Sequence, residues 1–130
     1  MRMMVKVSGN KGGRVAEYVP LDVRTVKDAS GAVIVEAKGD VGTHEAPALR
    51  NAVRAAQDLK PSKLVIDLSG VSYMATAGLA TLVEAMQVSK KSSVPLVLCG
   101  LTERVRAVFE LSRLQTVFTI RADVAAAVAG

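Results

Sequence analysis

Thr76 is the residue whose type and position could do chemistry. It lies in a run of small residues, Ala75-Thr76-Ala77-Gly78, that follows the apolar segment Val65-Ile66-Asp67-Leu68-Ser69-Gly70-Val71 and precedes Leu79-Ala80-Thr81-Leu82. That order reads as a buried strand, a short loop, and a helix whose first residues carry one hydroxyl. The unpaired N–H groups and positive dipole end of a helix stabilise a phosphate, whether bound or covalently attached. A hydroxyl there has two roles open to it. It can cap the helix, or it can accept a phosphate and act as a switch. The residue types alone leave both standing.

Other chemistries lack their parts. A hydrolytic triad needs a nucleophile, a base and an orienting acid within reach of one another. The only histidine is His44, at an expected helix start, and nothing ties it to a serine or to Cys99. One Cys and one His cannot build a tetrahedral zinc site. Asp40, Glu45 and Asp67 fall near expected strand ends, where isolated carboxylates are solvated or paired. The Gly-rich Ser8–Gly13 segment has no Gly-Lys-Ser/Thr triplet opening a helix, so it is not a phosphate loop. No dinucleotide fingerprint follows a strand. The expectation is a binding protein, not an enzyme, with no cofactor and no metal.

The elements that would position Thr76 follow from hydrophobic period. Leu21, Val23 and Thr25 alternate with polar neighbours, Ala29-Ser30-Gly31 marks a turn, and Ala32–Ala37 returns as a second strand. Gly39–Gly42 should end that antiparallel pair. Thr43 or His44 is the expected cap of a first helix, with Pro47 in its first turn and a stripe of Ala46, Leu49, Val53 and Ala56, then Leu59. Leu64–Leu68 reads as a strand covered on both faces. A second helix is predicted over Thr76–Lys90, with Leu79, Leu82, Val83 and Met86 inward. A strand over Leu96–Cys99 comes next, then a helix capped by Thr102 with Val105, Val108 and Phe109 inward. Ser112-Arg113 breaks it; a strand over Val117–Ile120 and an Ala-rich helix over Asp123–Ala129 close the chain. Strands alternating with helices specify an α/β fold with a mixed, mostly parallel sheet and about four helices. The loop before the second helix would lie past the carboxyl end of a central strand, where open α/β sheets bind ligands and partners.

Composition narrows the class further. The 130 residues are 50% hydrophobic, 22% charged and only 3% aromatic, which suits one domain with an aliphatic core. The net charge of +5 is concentrated early, with six basic and two acidic residues in positions 1 to 27. Without aromatics interleaved among the basic residues, a nucleic-acid partner is not expected. The first 14 residues are expected to form a flexible or irregular segment ahead of a domain over 15–130. No apolar signal core and no run of ~18 apolar residues is visible, so no membrane insertion is expected and a cytoplasmic location is the default.

The chain resembles the STAS domain family, and within it the anti-sigma factor antagonists. VIDLSGVSYMATAGLATL is similar to the family's strand, loop and Gly-Leu helix opening; Gly39-Asp40-Val41 is similar to its segment ahead of the first helix; VRAVFELSRLQTVFTI is similar to its usual ending, hydrophobic-F-x-x-S/T-G-L-x-x-hydrophobic-F. The likeness runs over about residues 21 to 129. It implies that Thr76 is the phosphorylated position. It also implies a docking face of Ser72, Met74, Ala75, Thr76, Ala77 and Gly78 with Asp40, Gly42 and His44 beside it. The implied partner is an anti-sigma factor serine/threonine kinase with an ATP-binding, histidine-kinase-like fold, which the unmodified protein would bind, freeing a sigma factor. Ala75 stands where the family carries Asp, Ala77 where it carries a second Ser, and Gly42 where an Asp is common.

Two other roles fit the same resemblance. One is a non-catalytic subunit of a membrane transporter, with the helix surface docked on an ATP-binding cassette subunit. The other is a scaffold module in a signalling assembly, tethered by the basic N-terminal segment.

Overall fold

The computed structural model describes residues 19–129. The expected irregular segment 1–14, and the first residues of the domain, lie outside that range. The described chain builds β1 (Asp22–Lys27), β2 (Ala32–Val41), α1 (Ala46–Asp58), β3 (Lys63–Met74), α2 (Thr76–Ser92), β4 (Leu96–Cys99), α3 (Glu103–Leu111), β5 (Thr119–Arg121) and α4 (Val124–Ala129), with a 3₁₀ turn at Leu114–Thr116. The α/β reading with a mixed, mostly parallel sheet and four helices holds among the described residues.

The five strands lie side by side in sequence order. The β1–β2 pair is antiparallel, and β2–β3, β3–β4 and β4–β5 are parallel. Because each parallel step advances in the same direction, right-handed crossovers place α1, α2 and α3 on one face. The main core forms there: Leu49, Val53, Leu82, Val105 and Phe109 meet Val35, Leu64, Ile66, Leu68 and Leu98. The opposite face has a smaller cluster of Ile34, Val65, Val97 and Cys99 under Ala127 of α4. Lys63 secures α4, its Nζ donating to the carbonyls of Ala127 and Val128 at 2.9 and 3.1 Å. A cation at a helix C-terminus satisfies the last carbonyls and opposes the dipole.

Several boundaries differ from expectation for physical reasons. β2 continues through Gly39 to Val41 instead of stopping at Ala37. β3 does not stop at Leu68 but runs on to Met74, so there is no separate loop before α2. Its register against β2 shifts twice, between Glu36 and Lys38 and between Lys38 and Asp40. Each shift sets three β3 residues against two of β2, so the buried positions become Leu68, Val71 and Met74. A strand bulged in this way loses the alternation that identifies it in sequence. The cap of α1 is Glu45, not Thr43 or His44. The N–H groups of Glu45 and Ala46 turn back onto the Gly42 carbonyl at 3.2 and 3.0 Å, which uses Thr43 and His44 in the turn. Leu59 lies beyond the last turn of α1 and is exposed. The last strand begins at Thr119, because the 3₁₀ turn takes up Leu114–Thr116.

Thr102 caps α3 as expected. Its Oγ1 accepts from the Val105 N–H at 3.4 Å and donates to the Val71 carbonyl at 2.8 Å, tying α3 to the bulged end of β3.

Candidate functional site

β2 and β3 end together, and the end of β2 sets the start of α2. The Ala75 N–H donates to the Val41 carbonyl at 2.8 Å. Ala75 is the N-cap residue, extended at φ −80° and ψ 168°, and it has no side-chain oxygen to accept from the helix. Its carbonyl accepts from Gly78 and Leu79 at 2.9 and 3.2 Å, while the N–H groups of Thr76 and Ala77 find no backbone acceptor among the described residues. The first turn of α2 therefore presents two open donors.

Thr76 follows the cap as the first helical residue, and its side chain is exposed. Of the two roles left open by the sequence, capping is excluded by position. Among the described residues its hydroxyl takes part in no hydrogen bond.

The other expected site residues divide into a surface and its support. Ser72 is exposed, and its Oγ donates to Asp40 Oδ1 at 3.3 Å across the β3–β2 step. Gly42 is half-buried, its N–H donating to Glu45 Oε1 at 3.1 Å, and His44 is exposed on the turn that follows. Ala75 and Ala77 are half-buried. Met74 and Gly78 were expected on the docking face but are buried, Met74 at 3% exposure. A Cβ on Gly78 would lie 2.8 Å from both Met74 Cγ and Val41 Cγ1. Gly78 is there so that α2 can approach the sheet, and Met74 is the surface it approaches.

Tyr73 was missed. It stands opposite Asp40 in the register and is 49% exposed, beside Ser72 and three residues before Thr76. The signal was available: with aromatics this rare, one in a polar Ser-Tyr context next to the helix start is out of place in an aliphatic core.

The acidic residues do not converge. Asp40 pairs with Ser72, Glu45 with Gly42, and Asp67 accepts from its own Ser69 N–H at 3.0 Å. Among the described residues no group of three or more His, Cys, Asp or Glu could hold a metal ion. No described helix is long and apolar enough to cross a membrane. Cys99 is buried, and that burial pushes its thiol up to about 12, with Asp67 and Asp123 adding in the same direction. Such a thiol is a packing group, not a nucleophile.

Comparison with known proteins identifies the family and the fold. The family model described as STAS domain matches residues 22–127. An anti-sigma-B factor antagonist of Listeria monocytogenes is 32% identical over 83 residues, which cover 64% of this chain and 73% of the relative. The crystal structure of an anti-sigma factor antagonist from Mycobacterium paratuberculosis superposes with a TM-score of 0.77 at 25% identity, over 84% of this chain and 92% of that one. The Bacillus cell fate determinant SpoIIAA in its phosphorylated form shares the fold at a TM-score of 0.61 and 15% identity, over 78% and 92% of the two chains. The chain belongs to the STAS domain family.

Proposed function

We propose that this protein is an anti-sigma factor antagonist that works by docking and not by catalysis, with phosphorylation of Thr76 as its switch. Unmodified, it binds an anti-sigma factor serine/threonine kinase of histidine-kinase-like fold in the cytoplasm, and a sigma factor is released. The docking face is the rim of exposed Ser72, Tyr73 and Thr76 and half-buried Asp40, with the His44 turn beside it, held from beneath by Met74 and Gly78. The observation that carries this reading is the exposed, unbonded Thr76 hydroxyl at the first position of α2. The relatives named as anti-sigma factor antagonists support the same role.

The physics of release is direct. A phosphate adds about −1.5 to −2 charge at pH 7. On a contact face that charge must be paired or desolvated, and either demand weakens a complex formed around a neutral hydroxyl. Asp40 on the same rim is of like sign, so the modified face becomes more acidic still.

Calorimetry with the cognate kinase and ADP tests the reading. The unmodified protein and Thr76→Val should bind alike, and Thr76→Glu should bind at least tenfold more weakly. Normal binding by Thr76→Glu would overturn the switch.

A further inference from the structure

The end of the sheet opposite Thr76 holds a concavity. Where β3, β4 and β5 begin, the last turns of α2 and the segment before β5 enclose an open cleft of about 360 Å³. That volume falls in the range of roughly 300–1,000 Å³ typical of small-molecule sites. Its apolar lining includes Met86, Leu96 and Phe118. Its charged lining is of one sign: Lys63, Lys90 and Arg121, with no Asp or Glu.

These cations differ in how far they are occupied. Lys63 is fixed by the carbonyls at the end of α4. Lys90 is exposed and makes no ion pair among the described residues, and Arg121 bonds only the carbonyl of Ile120, at 3.2 Å. Lys90 and Arg121 both line the cleft without an ion-pair partner among the described residues, and no acidic side chain of the cleft balances them.

We infer that this cleft binds a small amphiphilic anion, a carboxylate on an aliphatic body, with the chain against Met86, Leu96 and Phe118 and the head between Lys90 and Arg121. Charge selects this occupant over the protein's own material. Residues 1–18 contain four basic side chains and one acidic, and a second copy of the chain brings a net +5. Both are of the same sign as the rim. The inference does not depend on Thr76, which lies at the other end of α2.

Octanoate, titrated into ¹⁵N-labelled protein and followed by amide chemical shifts, is the probe. Saturable shifts confined to Lys90, Leu96 and Thr119–Arg121 are expected. Neutral 1-octanol should bind at least tenfold more weakly. The double variant Lys90→Gln/Arg121→Gln should lose octanoate affinity by about tenfold or more. Both side chains are exposed, and removing Lys90 from the last turn of α2 should lower the unfolding midpoint slightly while the transition stays cooperative. Shifts that never saturate or that map elsewhere would overturn the site. So would equal binding of octanol, or a correctly folded double variant that binds octanoate unchanged.

Discussion

Gly78 and Met74 are in contact so close that no side chain fits between them. A Cβ on Gly78 would stand 2.8 Å from Met74 Cγ and 2.8 Å from Val41 Cγ1. Thr76 is presented by this contact, because it sets how near the first turn of α2 lies to the ends of β2 and β3. Gly78→Val should therefore lift the start of the helix. The overpacking should cost about 1–3 kcal/mol, read as a lower urea midpoint at unchanged slope. An unchanged midpoint would mean that α2 is held by its later turns alone.

Ala75 occupies an N-cap position with the right backbone and the wrong side chain. Ala75→Asp should supply the missing acceptor for the first-turn N–H groups and favour the positive helix end. We expect a gain of about 0.5–2 kcal/mol in urea unfolding. The gain should shrink as pH falls through the carboxylate range, since only the ionised group interacts with the dipole. No gain at pH 7 would show that the two open donors are already well served by water.

Arg113 sits at φ 60° and ψ 26°, the left-handed region, between α3 and the 3₁₀ turn. The pattern that this segment resembles has Gly at that point. A non-glycine residue there is strained by about 1–2 kcal/mol, part of which glycine would return as unfolded-chain entropy. Arg113→Gly should stabilise the protein by about 0.5–1 kcal/mol in urea unfolding. Destabilisation would show that the Arg113 side chain supplies an interaction worth more than the backbone strain.

Cys99 makes stability depend on alkaline pH. Its ordinary value of 9.0 is raised to about 12, first by burial and then by Asp67 and Asp123. The folded thiol therefore keeps its proton after the unfolded thiol has lost it. The contribution is complete below pH 9 and declines as pH rises toward 12, by at most about 1.4 kcal/mol per unit. Between pH 7.5 and 10 the native protein should lose about 1 kcal/mol more than Cys99→Ala. Equal losses would mean that the thiol ionises as readily in the fold as in the unfolded chain.

The elements legible in the sequence are those whose burial is decided locally. The α1 stripe of Ala46, Leu49, Val53 and Ala56 needed only its own period, and β4 only its short apolar run. The latter half of β3 was not legible, because its buried spacing of Leu68, Val71 and Met74 is imposed by two register shifts against another strand. Glu45 was missed as the α1 cap because its side chain bonds back to the Gly42 N–H instead of to the helix, and the rest of the turn is closed by backbone bonds onto the Gly42 carbonyl. Thr76 itself was legible as a hydroxyl at a helix start. Whether it capped that helix or faced outward depended on a single residue of boundary, and the Ala75–Val41 bond decides it. Tyr73 joined the site only once β3 was known to reach it.

Intact-mass measurement after incubation with the cognate kinase and ATP tests the central claim most directly. The native protein should gain about 80 Da, the mass of one phosphoryl group, with fragmentation placing it on Thr76, and Thr76→Val should gain nothing. An unchanged native mass, or a phosphoryl group on another residue that persists in Thr76→Val, would contradict the account.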